Sequence, residues 1–397
     1  MIRPAVSLPA GVIFRIFLRL GLTSFGGPVA HLGYFRQEFV VRRRWLHEAA
    51  FADLVALCQL LPGPASSQVG IGLGLLRGGL RGAFAAWAGF TLPSALLLIL
   101  FGLSLSAAQD VTQAGWFHGL KLVTVAVVAQ AVWGMARTLC PDALRRLLMG
   151  LAAAALLRYP GLATQLAVLA GGALAGLALL RPRLHEGHDT YALPVGRPFG
   201  TAALALFVLL LAGLPLAAAL FPSHALALFD RFYRAGALVF GGGHVVLPLL
   251  QSLVVAPGWV SDDTFLAGYG AAQAVPGPLF TFAAYLGTVM GPEPHGWLGG
   301  LLCLAAIFLP SFLLVAGILP FWDELRRQPQ VRAALGGVNA AVVGLLLAAL
   351  WNPVWISGVH TTTDVLVALG AFVLLQVARW PSWAVVVLCA GAGLVLA

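Results

Sequence analysis

The chain is predicted to be an all-α, polytopic integral membrane protein, made of two copies of one unit in inverted topology with helices that break or re-enter inside the bilayer. Three observations predict this. Of its 397 residues, 60% are hydrophobic and 9% charged, with a mean hydropathy of +0.94, whereas about a quarter of a soluble domain is charged. The segment Leu60-Leu61-Pro62-Gly63-Pro64 returns as Ala274-Val275-Pro276-Gly277-Pro278. Corresponding loops of the two copies carry opposite charge, as equivalent loops on opposite sides of a membrane would.

The repeat extends through both halves in one order. Leu20-Gly21-Leu22-Thr23-Ser24-Phe25-Gly26-Gly27 aligns with Ala235-Gly236-Ala237-Leu238-Val239-Phe240-Gly241-Gly242. Trp45 aligns with Trp259, Phe51 with Phe265, Gln59 with Gln273, Leu92-Pro93-Ser94 with Leu309-Pro310-Ser311, and Ala126-Val127-Val128 with Ala341-Val342-Val343. The expected organisation is a first repeat over 1–180, a cytoplasmic loop with a linking span over 181–225, and a second, inverted repeat over 226–397. Without an odd linking span, 201–221, the second copy would not be flipped.

In chain order, the N-terminal segment 11–24 is interrupted by Arg15 and Arg19 and shows no small-residue cleavage site, so it is expected to stay in the mature protein. With Phe25-Gly26-Gly27-Pro28 it suggests a broken element over 11–41. Loop 36–48 holds Arg36, Arg42, Arg43 and Arg44, while its counterpart 251–263 has no basic residue and holds Asp262 and Asp263. Segments 51–61 and 65–76 are each too short for the roughly 20 residues of a span, and both flanks are basic. They read as a re-entrant hairpin broken at Pro62-Gly63-Pro64, with a copy entering from the other face at Pro276-Gly277-Pro278. Spans follow at 82–105 and 119–139, then a shorter pair at 147–157 and 161–180. Loop 106–118 has no Lys or Arg, whereas its counterpart holds Arg326, Arg327 and Arg332. The second half adds spans at 297–320, 334–351, 364–378 and 383–397.

Broken helices leave amides and carbonyls that hydrocarbon cannot satisfy, at several kcal/mol each, so they are expected to line a hydrated cavity. Helix starts after such breaks favour anions, through oriented N–H groups and the helix dipole. The amides of Ala65, Ser66, Ser67 and Gln68, and of Leu279, Phe280, Thr281 and Phe282, are the expected donors. Ser66, Ser67 and Thr281 add hydroxyls, and Gln59 and Gln273 add side-chain amides. Arg19 and its equivalent Arg234, with Lys121, the only lysine, supply the cations of an oxyanion site. The plainer alternative has Arg15, Arg19, Arg231 and Arg234 snorkelling to headgroups, and Lys121 at the interface.

Other features carry less. The net charge of +9 is topological, and with no long basic tail no nucleic acid is expected as partner. Cys58, Cys140, Cys303 and Cys389 lack metal-ligand spacing and read as small buried hydrophobes. His31 and His244 flank the glycine breaks without being equivalent, and read as polar contacts rather than a proton relay. Gly70-Ile71-Gly72-Leu73-Gly74 reads as helix packing, and the tryptophans as an aromatic belt. No metal site, cofactor or catalytic pair is expected, so an enzyme is disfavoured. A cation or neutral-solute carrier would lean on Asp53, which the repeat does not duplicate.

Phe25-Gly26-Gly27-Pro28, Gln59 to Pro64, Phe240-Gly241-Gly242-Gly243, Gln273 to Pro278, the two Leu-Pro-Ser triplets and Asn339-Ala340-Ala341-Val342-Val343-Gly344 together resemble the chromate ion transporter family, in its long form with two homologous domains. The resemblance covers nearly the whole chain. It implies a multi-pass inner-membrane protein that exports chromate and confers resistance, with sulfate or another oxyanion as the alternative substrate. The matching motif positions imply substrate-binding roles for Gly26, Gly27, Gln59, Pro62, Gly63, Pro64, Gly241, Gly242, Gln273, Pro276, Gly277 and Pro278. The second glycine break lacks the proline of the first, so the halves need not contribute equally. The expected partners are the oxyanion and the lipid bilayer, and a homodimer is one assembly the sequence allows.

Overall fold

The computed structural model describes residues 8–25, 27–107, 115–180, 195–240, 246–325 and 328–396. All secondary structure among them is helical. The first half contains α1 (Ala10–Thr23), α2 (Gly27–Phe35) running into a π-helical turn (Arg36–Arg42), α3 (Glu48–Leu60), α4 (Ala65–Ala107), α5 (Gly115–Leu139), α6 (Ala143–Arg158) and α7 (Leu162–Leu179). The linking helix is α8 (Arg197–Leu220). The second half contains α9 (His224–Leu238), α10 (Val246–Val254), α11 (Asp262–Ala272), a 3-10 turn (Leu279–Thr281) leading into α12 (Phe282–Val289), and α13 (Gly296–Ile318). It continues through α14 (Trp322–Leu325), α15 (Pro329–Ala349), a π-helical turn (Leu350–Trp355), α16 (Ile356–Gly358), α17 (Thr362–Gln376) and α18 (Ser382–Leu396).

Helix starts fall into two chemical kinds. Those leaving charged loops are capped by side chains: His47 accepts from the Ala50 amide, Asp142 from Arg145, Ser261 from Thr264, and Thr361 and Asp364 form a reciprocal capping box on α17. The starts at the Pro-Gly-Pro breaks have no such side-chain cap. Within α4, Gly78 (φ −151°) and Gly79 (φ 61°) leave helical geometry and divide it into 65–77 and 80–107. The first piece pairs with α3 across the Pro-Gly-Pro turn, and the second exceeds the roughly 20 residues that a span requires. Among the described residues five helices are long and apolar enough to cross a membrane, counting α4 as one. Among them α8 packs on α9 and α13 along one face and leaves the other exposed, with Val208, Leu209, Leu216 and Leu220 each more than half accessible.

Close packing depends on glycine at helix crossings. A Cβ on Gly21 of α1 would lie 2.7 Å from the Gly89 carbonyl oxygen of α4, and the equivalent Gly236 of α9 meets the Ile307 backbone of α13 in the same way. Without a hydrophobic drive between helices in lipid, such small-residue contacts supply the association energy. The last two helices of each half cross over to the other half: α17 and α18 pack on α5, while α6 and α7 pack on α15. Lys121 of α5 bonds Asp263 of α11 at 2.9 Å, and His118 of α5 meets Asp364 of α17 at 2.7 Å. One apolar core accordingly joins Ala95, Val125 and Leu156 of the first half to Phe265, Phe282 and Val342 of the second.

The α7–α15 crossing sets Gly172 against Gly337, where a Cβ on Gly172 would lie 2.8 Å from the Gly337 carbonyl. Gly172→Leu is expected to cost about 2–3 kcal/mol through overpacking, read as a lowered thermal midpoint of the detergent-solubilised protein. Gly370→Leu on α17, where nothing lies within 4 Å, should leave that midpoint unchanged.

Candidate functional site

The four helix breaks of the two halves converge. The Gly63 amide donates to the Val239 carbonyl at 2.6 Å, and the Gly277 amide donates to the Ser24 carbonyl at 2.9 Å. Ser24 and Val239 are equivalent positions of the repeat, the C-caps of α1 and α9. Each Pro-Gly-Pro turn of one half therefore satisfies the open helix end of the other. Both glycines need positive φ, 118° and 104°, a region L-residues seldom enter. Their surroundings match in one respect: a Cβ on Gly63 would meet Gln68 Nε2 at 2.7 Å and then Ser311 Oγ at 2.9 Å, and one on Gly277 would meet Ser94 Oγ at 2.8 Å. The Leu-Pro-Ser serines thus seat the glycine of the opposite half.

His31 joins the two junctions. Its Nε2 is 3.2 Å from the Ser24 carbonyl and its Nδ1 3.4 Å from Ser66 Oγ, with the ring 1% exposed. A carbonyl only accepts, so Nε2 carries the proton and Nδ1 accepts from the Ser66 hydroxyl. One polar chain then runs Gly277, Ser24, His31, Ser66, and through the first turn to Gly63 and Val239. Ser24 Oγ, Ser67 Oγ, Gln68 Oε1, Thr91 Oγ1 and Ser311 Oγ are buried with no hydrogen-bond partner among the described residues. Burying such groups costs free energy, and this density of them marks a polar core inside an apolar protein.

The two breaks open differently. The first intrahelical bond of α4 runs from the Gln68 amide to Pro64 O at 2.9 Å, leaving the amides of Ala65, Ser66 and Ser67 ahead of it. Gln68 does not offer its amide as expected, and its Nε2 donates to Pro62 O at 2.6 Å. After the second break, the Thr281 amide and hydroxyl both donate to Pro278 O, at 3.0 and 2.7 Å, and the Phe282 amide is engaged as well. This tighter 3-10 start consumes the donors of Thr281, so the two helix starts are unequal in anion-binding capacity.

The cations named from sequence are exposed or already paired. Arg19 is exposed, Arg234 pairs with the buried Asp230 one turn before it, and Lys121 pairs with Asp263. Arg231 lies over the Trp259 ring at 3.8 Å and donates to the Leu253 carbonyl. Gln59 is exposed, whereas its equivalent Gln273 borders a cavity of about 320 Å³ together with Gly27 and Tyr34. Pro62, Pro64, Pro276 and Pro278 flank the two glycine amides. Gly26, Gly241 and Gly242 lie outside the described residues. Sequence reasoning left out Ser24, Asp230 and the side chain of Gln68; Ser94 and Ser311 were signalled by the repeated Leu-Pro-Ser. Among the described residues no cluster of metal-ligating side chains is formed.

Gly63→Ala is expected to destabilise the protein by about 2 kcal/mol or more from backbone strain alone. Adding Ser311→Ala should recover part of this, because it removes one of the two side-chain atoms within 3 Å of the new methyl, Gln68 Nε2 being the other, whereas Ser94→Ala should not. Thermal denaturation of the two double variants reads the difference.

A family model described as chromate transporter matches the chain twice, over residues 11–177 and 226–394. A chromate transport protein of Pseudomonas aeruginosa is 31% identical over 348 residues, spanning 86% of this chain and 80% of that protein. One of Cupriavidus metallidurans is 27% identical over 339 residues, 84% of this chain and 80% of that protein. A shorter relative, an uncharacterized transporter of Bacillus subtilis, is 32% identical over 127 residues, 32% of this chain and 69% of its own length. No solved structure matches the chain. With its apolar helices, paired repeats and these matches, the chain is a multi-pass membrane protein belonging to the chromate transporter family.

Proposed function

We propose that this protein exports chromate, a tetrahedral oxyanion dianion, from the cytoplasm across the inner membrane, driven by the membrane potential. The observation that carries the reading is the buried junction of helix breaks, where three α4 amides and the Ser67 hydroxyl follow the Gly63 turn and the unpartnered Ser24 hydroxyl belongs to the residue that meets the Gly277 turn. Relatives named as chromate transport proteins support the substrate. Neutral donors suit a site that must both strip water from a dianion and release it, since binding too tight to leave would end conduction.

Loop charges orient the halves. The basic flanks of α3 and the first piece of α4 are read as cytoplasmic, and the acidic flanks of α11 and α12 as external. The Gly63 and Gly277 turns then reach the junction from opposite faces of an inverted repeat, and alternating access follows if the two hairpins open in turn. Outward movement of two negative charges gains about 4–5 kcal/mol at 100 mV. At about 1.4 kcal/mol per decade, this sustains an outward gradient on the order of a thousandfold, without a coupled proton.

Radiolabelled chromate uptake into everted vesicles tests the reading. Uptake that depends on the protein and rises with an imposed interior-positive potential is expected, and excess sulfate measures selectivity. Absence of uptake of both anions, in vesicles holding folded protein, would sink it. Ser66→Ala with Ser67→Ala should lower flux about tenfold or more, the worth of a hydrogen bond or two at the site. Arg19→Gln, altering an exposed side chain, should leave flux within about twofold.

A further inference from the structure

Two cavities lie beside corresponding short-helix turns of the two halves. One, of about 320 Å³, is lined by Tyr34 of α2, Gln130 of α5, Gln273 at the second break, and Arg379 and Ser382 of the α17–α18 turn. The other, of about 360 Å³, is lined by Gln251 and Ser252 of α10, Asp262 of α11, Asn352 beyond α15, and Pro160 and Gly161 of the α6–α7 turn. Helix α2 corresponds to α10 and α5 to α15. The two turns share a motif, Arg379-Trp380-Pro381-Ser382 and Arg158-Tyr159-Pro160-Gly161.

The motif is used differently in each copy. Arg158 ends α6 and its guanidinium lies over the Tyr159 ring at 4.8 Å, outside the cavity lining. Arg379 adopts a left-handed backbone, φ 55°, a strained choice for a non-glycine residue, and lines its cavity. Among the described residues no Asp or Glu lines that cavity and no carboxylate pairs with Arg379. In the second cavity the charge is reversed, with Asp262 accepting from Gln251 Nε2 at 3.0 Å. Deeper in the first stands the side-chain amide of Gln273, whose Nε2 is buried. Ser382 Oγ donates to the Gln273 carbonyl at 3.1 Å, tying the turn to the break.

We infer that the first cavity is an entry subsite for a tetrahedral oxyanion dianion, with the Arg379 guanidinium as its charged donor and the Gln273 side-chain amide as its inner donor. A guanidinium fork matches two oxygens of such an anion. The basic cavity belongs to the face with basic loops, so the anion is gathered on the cytoplasmic side; Asp262 gives the opposite cavity a charge that discourages return. The Gly277 turn, four residues along from Gln273, leads from this subsite to the junction. This inference rests on the proposed oxyanion transport.

Everted vesicles present the cytoplasmic face to the medium, so initial rates of chromate uptake there read the subsite. Arg379→Gln is expected to raise KM about tenfold, as loss of one charge-assisted contact would, with kcat little changed. Arg379→Cys should behave alike and regain a low KM after modification with a cationic methanethiosulfonate but not a neutral one. The four native cysteines are buried and give little background. Arg158→Gln should leave KM unchanged. An unaltered KM in Arg379→Gln, equal rises in both arginine variants, or no charge rescue in the Cys variant would each overturn the subsite while leaving export standing. A wild-type protein that moves neither chromate nor sulfate would instead remove the transport reading, and the subsite with it.

Discussion

Backbone polar groups at a broken helix have no solvent to turn to within a bilayer, and the protein answers this by letting each half complete the other. The Gly63 amide closes the end of α9 at Val239, and the Gly277 amide closes the end of α1 at Ser24. Each amide is available because glycine accepts the positive φ that turns it toward the partner half. Proline on either side removes two donors that would otherwise need partners. The serine of each Leu-Pro-Ser triplet then fills the space a side chain on that glycine would need. The rest of the architecture holds these two bonds in register: α1 against α4 and α9 against α13 through glycine contacts, and the terminal helix pairs exchanged across the molecule.

The symmetry is close in backbone and loose in side chains, and chemistry resides in the departures. His31 has Val246 at its equivalent place, so only the first junction contains an imidazole bridging a carbonyl and a hydroxyl. Thr281 turns its hydroxyl and amide onto Pro278, while Ser67 Oγ remains unpartnered in the opposite start. Two conformations related by exact symmetry would have equal energy. Departures of this kind supply the differential contacts that let one conformation predominate.

Much of the architecture was legible because membrane constraints write themselves into composition. Apolar runs gave the spans, Pro-Gly-Pro gave the breaks, and loop charge gave an expected orientation. The partner of each break was not legible, because the acceptors at Ser24 and Val239 are main-chain carbonyls, which any residue supplies. Asp230 was also missed. On α9 it looks like part of a polar stripe, and only the fold shows it buried beside Arg234. Conversely, Arg19 and Lys121 drew attention as charges in apolar segments, yet one is exposed and the other meets Asp263, a partner distant in sequence. Periodicity could not show that the second helix start would tighten into a 3-10 turn, since that depends on how Thr281 competes for a single carbonyl oxygen.

The linking helix α8 packs on α9 and α13, and its further value lies in counting. A structure whose helix ends and terminal pairs are satisfied only by a second unit of opposite orientation requires the two orientations in equal numbers. Any excess of either would stand in the bilayer with unpaired carbonyls at its breaks and an uncovered α5 or α15. One exposed helix of 24 residues, joining the units in a single polypeptide, fixes that ratio at synthesis, so that assembly becomes a matter of folding rather than of concentration.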